Sequence, residues 1–76
     1  MTGKLPRLTV ADVQRALQRA GWYVKRQGGK HQILTHPDKD GRVTISRHPR
    51  ETLKPKTLQS ILDQAGLSAE QLRELL

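Results

Sequence analysis

Three histidines, the only ones in the chain, lie in its middle segment among lysines and arginines. His31 follows the sequence GGK, and His48 lies in the sequence SRHPRE. Histidine is the side chain that exchanges protons most readily near neutral pH. Placed in a basic segment, it predicts either phosphate binding or acid–base chemistry at a phosphate.

His31 is the strongest candidate for such chemistry. RNA carries its own nucleophile, the ribose 2′-hydroxyl, so its cleavage needs only a base, an acid and a cation. Positioned acid–base groups contribute roughly 10²–10⁴-fold to such a reaction. Arg26, Lys30 and Arg47 are the nearby cations that would hold the phosphate. The alternative is that His31 is a solvent-exposed turn residue with no catalytic role.

The other two histidines are weaker candidates. His48 is a candidate second proton-transfer group or phosphate ligand, and its alternative is a hydrogen-bonded loop residue. His36 precedes a proline in a predicted loop and is interpreted as a bystander. His31 and His36 would face opposite sides of one strand, and no cysteine is present. We therefore predict no metal and no cofactor.

A second basic cluster begins the second predicted helix. Lys54 and Lys56 flank Pro55 there, and free N–H groups at a helix N-terminus attract phosphate as the side chains do. The alternative is that these charges solubilise a helix end. The predicted RNA-binding residues are Lys25, Arg26, Lys30, Arg47, Lys54 and Lys56.

Composition supports a polyanionic partner. The 76 residues carry 14 Lys and Arg against 7 Asp and Glu, a formal charge of +7. In a small basic domain, nucleic acid is the leading candidate partner. The sequence contains no signal-peptide pattern and no apolar run of the ~20 residues that cross a bilayer. We therefore expect a cytoplasmic protein without a membrane partner.

The spacing of apolar residues predicts helices on both sides of the middle segment. The sequence LTVADVQRALQRAG predicts a first helix, with Thr9 as N-cap, Asp12 in a capping box and Gly21 after the end. PKTLQSILDQAG predicts a second helix that begins at Pro55 and ends at Gly66. The segment 67–76 predicts a short last helix, which either packs on the core or docks another chain.

Three short strands are predicted between the first two helices: residues 22–26, 31–35 and 42–46, with a loop at 37–41. Trp22 is expected in the core. One sheet face would stay open, with Tyr23, Lys25, Arg42 and Thr44 as candidates to point there. The prediction is one α+β domain over residues 1–76, like a double-stranded-RNA-binding domain, in the order α-β-β-β-α(α) with a three-stranded antiparallel sheet. Residues 1–7 are expected to be flexible.

Two long stretches, LQRAGWYVKRQGGKHQIL and VTISRHPRETLKPKTLQSILDQAGLS, resemble the HicA (YcfA-like) family of toxin–antitoxin systems. The most specific parts are Gly-x-His at Gly29–His31, RHP at 47–49, and the second helix. The resemblance implies a double-stranded-RNA-binding-like fold, an RNA-cleaving toxin (mRNA interferase) and His31 as its catalytic residue. It also implies a HicB-like antitoxin as partner.

Two positions depart from the family pattern. Lys30 stands at or near a position usually held by serine, and Ser46 stands where proline is common before RHP. The leading hypothesis is a metal-independent endoribonuclease acting on single-stranded or locally unpaired mRNA. The alternatives are a non-catalytic RNA-binding module, and a protein whose main role is to pair with and regulate its antitoxin. The assembly would be a homo-oligomer or a hetero-oligomer with that antitoxin.

Overall fold

Three helices and three strands make up the computed structural model, which describes residues 7–76. They are α1 (Val10–Arg19), β1 (Tyr23–Gly28), β2 (His31–His36), β3 (Lys39–Ser46), α2 (Pro55–Ala65) and α3 (Ala69–Leu75). The segment predicted to be flexible lies outside the described residues except for Arg7, which is exposed.

A capping box begins α1, as predicted. The hydroxyl of Thr9 accepts a hydrogen bond from the backbone N–H of Asp12 at 3.2 Å, and the Asp12 carboxylate accepts one from the Thr9 N–H at 3.0 Å. These bonds satisfy two of the donors that a helix N-terminus leaves free. Because apolar side chains recur at helical spacing, one stripe of α1 is buried against the sheet: Val10, Val13, Ala16 and Leu17.

The sheet is antiparallel, with the strands in the order β1-β2-β3. Each strand differs from the prediction at one boundary or more, and β2 extends one residue further, to His36. β1 begins one residue after Trp22 and continues to Gly28, and β3 begins at Lys39, inside the predicted loop. Lys39 pairs with His36, so the connection from β2 to β3 is a tight turn and pairing starts earlier than the loop-forming residues suggested.

Helices cover one face of this sheet and leave the other open. The core lies between the layers and includes Trp22, as predicted, with Leu34 from β2 and Val43 and Ile45 from β3. Each of these strand residues alternates with a side chain on the open face. The architecture is the predicted α+β fold of the double-stranded-RNA-binding type.

The second helix runs back along the outer edge of β3. The amide oxygen of Gln64 accepts a hydrogen bond from the backbone N–H of Thr44 at 3.0 Å, and the carbonyl of Ala65 accepts one from Lys39 Nζ at 3.2 Å. The C-terminal end of α2 therefore lies beside β3, between Lys39 and Thr44. Its N-terminus follows Leu53, whose backbone N–H donates to the carbonyl of Leu8 at 2.8 Å, just before α1.

The last helix packs on the core, which decides between the two predicted roles for this segment. Ser68 and Gln71 form a capping box at the start of α3, with hydrogen bonds of 2.8 and 3.1 Å. Leu72 is fully buried, and Arg19 donates a hydrogen bond to the carbonyl of Leu75 at 2.6 Å. Among residues 7–76 no helix is long and apolar enough to span a bilayer.

Candidate active site and nucleic-acid interface

His31 is the first residue of β2, and its ring lies on the open face of the sheet. Along β2 the residues alternate, so that Gln32 and Leu34 are buried while His31 is exposed. Its neighbours across the sheet are Gly28 on β1 and Ser46 on β3. The imidazole is therefore accessible to a large ligand, as proton transfer to a polymer requires.

A shallow depression of about 290 Å³ surrounds this imidazole. Arg26 and Gly28 of β1, Ile33 of β2 and Thr44 of β3 form its other walls. Arg26, one of the predicted phosphate-binding residues, is thus brought beside His31 by strand pairing. A cation and a proton-exchanging group share one surface.

The turn before His31 is held by Arg47. The backbone N–H of Arg47 donates to the carbonyl of Lys30 at 2.9 Å, and its guanidinium donates to the carbonyl of Gly29 at 3.1 Å. Gly29 has a φ of +56°, a conformation that favours glycine in this tight turn. Two further predicted residues, Lys30 and Arg47, therefore lie at the same end of the sheet as His31, and Arg47 also has a structural role.

Directly after His31, a buried glutamine that the sequence did not single out anchors β2. The amide nitrogen of Gln32, which is 4% exposed, donates to the side chain of Gln14 on α1 and to the carbonyl of Ser46, both at 3.0 Å. Its amide oxygen accepts from Gln27 at 3.4 Å. A buried amide must be hydrogen-bonded, so this network fixes the strand end that carries His31.

The remaining predicted residues lie outside this depression. His48 is exposed in the loop after β3, where its backbone N–H donates to the Ser46 hydroxyl at 3.1 Å and its carbonyl accepts from Glu51. Lys54 is the N-cap of α2 without a side-chain capping bond, and Lys56 follows in the first turn. Lys54 follows Leu53, whose backbone N–H bonds to the carbonyl of Leu8, so this lysine lies near the start of α1.

His36 lies on the opposite face of β2 from His31, as its spacing predicted. Its Nδ1 accepts a hydrogen bond from the backbone N–H of Asp38 at 3.0 Å, and its Nε2 is 2.9 Å from the carbonyl of Ala20, so the proton is on Nε2. The ring also meets Trp22 edge-on, with centroids 5.3 Å apart. Within the described part of the chain, His, Asp and Glu side chains form no group suited to a metal.

Lys25 is the extra residue of a β-bulge, which the sequence did not predict. Val24 pairs with Leu34 and Arg26 pairs with Ile33, so Lys25 has no partner on β2. A bulge of this kind re-aims side chains, and here Lys25 and Arg26 line the same depression on the open face. Strict alternation, which the sequence suggests, would have placed them on opposite faces.

That second depression has a volume of about 470 Å³ and lies next to the first. Arg42 and Asp40 of β3 line it, together with Ile33 and Thr35 of β2. Alternation along β3 had already indicated that Arg42 points to the open face, but nothing in the sequence alone connects it with His31.

The cations of the open face are not neutralised by the protein. Among residues 7–76 the one ion pair joins Arg15 and Asp12 on α1. The side chains of Lys25, Arg26 and Arg42 make no hydrogen bond or ion pair in this part of the chain. Their charge is therefore available to a ligand.

These features define a small basic domain of the double-stranded-RNA-binding type with an exposed histidine on its open sheet face. A family model described as the HicA toxin of bacterial toxin–antitoxin systems matches residues 10–67, from the start of α1 to just beyond α2. The chain belongs to this toxin family. Membership implies a cognate antitoxin. A comparison with curated proteins finds no match.

Proposed function

We propose that the protein is the toxin of a type II toxin–antitoxin pair and acts as a metal-independent endoribonuclease on mRNA in the cytoplasm. The observation that carries this proposal is the position of His31, exposed on the open sheet face beside Arg26. The guanidinium of Arg26 makes no ion pair among residues 7–76. Family membership supports the toxin role, and the histidine supplies the chemistry.

The proposed reaction is an internal transesterification. His31 removes the proton from a ribose 2′-hydroxyl, and the 2′-oxygen attacks the adjacent phosphorus. The bond between phosphorus and the 5′-oxygen breaks, and a protonated group delivers the proton to that leaving oxygen. The products are a 2′,3′-cyclic phosphate and a free 5′-hydroxyl. General acid–base help of this kind contributes roughly 10²–10⁴-fold.

Cations near His31 would stabilise the charge that develops on the phosphate. Arg26 lies in the same depression, and Lys30 and Arg47 lie at the adjoining turn. Lys30 stands near the position where relatives usually have serine, so in this chain an ammonium group replaces a hydroxyl beside the reacting phosphate. His48 is the candidate for the second proton-transfer group.

The experiment incubates RNA in EDTA with the wild type, His31→Ala and His48→Ala. We expect cleavage by the wild type, cyclic phosphate ends on the products, and a loss of at least about 10²-fold for His31→Ala. Circular dichroism confirms that each variant is folded. Equal cleavage by wild type and His31→Ala, or no cleavage by either, rejects the assignment.

A non-catalytic RNA-binding module is the second candidate, favoured by the lysines at the start of α2. It predicts that Lys54→Ala with Lys56→Ala weakens RNA binding and lowers its salt dependence by about 0.7 log units for each phosphate that is no longer bound. Growth arrest on expression that His31→Ala relieves would contradict a purely binding role.

The proposed partner is a HicB-like antitoxin that covers the His31 surface with carboxylates. The excess of unpaired cations there favours an acidic partner. Hydrogen exchange of the complex should protect the backbone of β2 and of the turn before it. Unchanged exchange at His31 in the complex would show that the antitoxin binds elsewhere.

A further inference from the structure

The open face of the sheet is organised in three transverse rows. Strand pairing places one residue from each strand in every row. The rows are Gly28–His31–Ser46, Arg26–Ile33–Thr44 and Tyr23–Thr35–Arg42. Alternate residues of a strand are roughly 7 Å apart, so the third row lies roughly 13 Å from His31.

The two depressions on this face are continuous with each other. Arg26 and Ile33 line both of them, so the middle row forms the boundary between the His31 depression and the larger one. Ile33 is half-buried and gives the shared floor an apolar surface. A ligand bound at His31 can therefore extend along the sheet without leaving the surface.

The larger depression carries a strong positive charge. Lys25, Arg26 and Arg42 line it against a single carboxylate, that of Asp40. None of these four side chains makes an ion pair within residues 7–76. Charge of this sign and density fits a polyanion, and an apolar floor between arginines suits a base, because guanidinium planes and apolar side chains stack on bases.

We propose that the larger depression is a binding subsite for the nucleotide next to the scissile bond, with Arg42 as the cation that binds its outer phosphate. The proposal rests on the nuclease function proposed above. One phosphate lies at His31 and Arg26, the neighbouring base lies on Ile33, and the next phosphate is held by Arg42. RNA thus follows the open face along the direction of β2.

The test of binding uses His31→Ala as the background and RNA with 2′-O-methyl riboses, which has no nucleophile for the proposed reaction and stays intact whatever the catalytic role of His31. Fluorescence anisotropy measures the affinity for a single-stranded hexanucleotide between about 0.05 and 0.5 M salt, a range chosen because counterion release dominates there. Arg42→Ala should reduce the salt slope by about 0.7, which corresponds to about fivefold weaker binding at about 0.1 M salt.

Arg15→Ala is the matched control, because it removes the same charge from α1, which lies on the other face of the sheet. We expect Arg15→Ala to bind RNA like the background protein. Equal losses for the two variants would mean diffuse attraction and would overturn the subsite. Unchanged RNA binding by Arg42→Ala would also overturn the subsite, and would indicate that this part of the open face binds a protein partner instead.

Cleavage by the otherwise wild-type enzyme gives a second readout. Arg42→Ala should lower kcat/KM about fivefold for a hexanucleotide and by less for a dinucleotide, which has no second phosphate for Arg42 to bind. Equal effects on both substrates would contradict a subsite beyond the scissile bond. Absence of cleavage by the wild type would reject the nuclease function, while the anisotropy measurement would still decide whether Arg42 binds RNA.

Discussion

Gly21, between α1 and β1, holds a position that no other residue can occupy without strain. Its φ is +101°, and a Cβ built there would lie 2.6 Å from Nε2 of His36. That imidazole nitrogen is already hydrogen-bonded to the carbonyl of Ala20. The sequence marked the glycine as a helix end but could not show that it also makes room for a ring from β2.

We therefore expect Gly21→Ala to lower the free energy of unfolding by at least about 1–2 kcal/mol, the cost of left-handed backbone for a residue with a Cβ. Displacement of His36 adds to this loss. The measurement is urea unfolding. Gly28→Ala is the control, because Gly28 has no atom within 4 Å of its Cβ position, and it should change stability by less than about 0.5 kcal/mol.

The capping carboxylate of Asp12 makes stability depend on pH. Hydrogen bonds from the backbone and side chain of Thr9 lower the pKa of Asp12 below its ordinary 3.8, with a smaller contribution from Arg15. A group whose pKa is lower in the folded state stabilises the fold above its unfolded pKa. That contribution is lost as the pH falls through about 4 toward the folded value.

Asp12→Ala should accordingly be less stable than the wild type at pH 7, and the difference should shrink as the pH falls below about 4. Thermal unfolding at several pH values measures this. Arg15→Ala separates the contribution of the salt bridge from that of the cap. A difference that stays constant from about pH 7 to about pH 2 would contradict the role of the ionised cap.

Among the secondary-structure elements, β2 is fixed to its neighbours by a polar residue inside an apolar layer. Gln32 links β2 to Gln14 on α1 and to the end of β3 at Ser46. Gln32→Met keeps the volume but removes these bonds. It should cost about 1–3 kcal/mol, because the half-buried side chain of Gln14 and carbonyl of Ser46 lose their hydrogen bonds.

The same substitution should lower RNA cleavage at a temperature where both proteins are folded, since His31 adjoins Gln32 on β2. Urea unfolding and cleavage of a short RNA measure the two effects. Gln27→Met is the control, as Gln27 makes only the longer contact of 3.4 Å and is exposed. A Gln32→Met protein with wild-type stability would show that the network contributes nothing to the fold.

The attachment of α3 depends largely on one side chain. Leu72 is fully buried in the core, whereas Leu76 at the end of the chain is 44% exposed. Leu72→Ala should cost about 2–5 kcal/mol. A domain of this size has a total stability of about 4–11 kcal/mol, so the variant is expected to unfold at a much lower temperature. Leu76→Ala should change stability by less than about 0.5 kcal/mol.

The elements were predictable to different degrees. Helix ends are marked by local patterns, so the first helix was predicted with its capping box and the second with its start at Pro55 and its end at Gly66. The bulge at Lys25 and the early start of β3 depend on the partner strand, so a single strand sequence could not reveal them. The sequence predicted His31 and Arg26 as site residues. That Arg42 lies on the same surface follows only from the pairing of the strands in the folded sheet.

For the whole molecule, the net charge of +7 opposes compaction. Within the described residues a single ion pair offsets this repulsion. We expect the melting temperature of the free protein to rise as the salt concentration increases from about 0.02 to about 0.5 M, because salt ions screen the repulsion between the positive charges. RNA affinity should fall over the same interval, because phosphate contacts release counterions. A melting temperature that decreases with salt would show that attractive charge pairs dominate instead.

The bulge in β1 has a consequence for which changes this chain tolerates. Val24 and Arg26 pair with Leu34 and Ile33, which are adjacent on β2. Removal of Lys25 would therefore leave a regular ladder, with Val24 still in the interior and Arg26 still on the open face. A deletion at this position should spare the fold, but it would remove one cation from the open face and straighten the edge strand that carries Arg26.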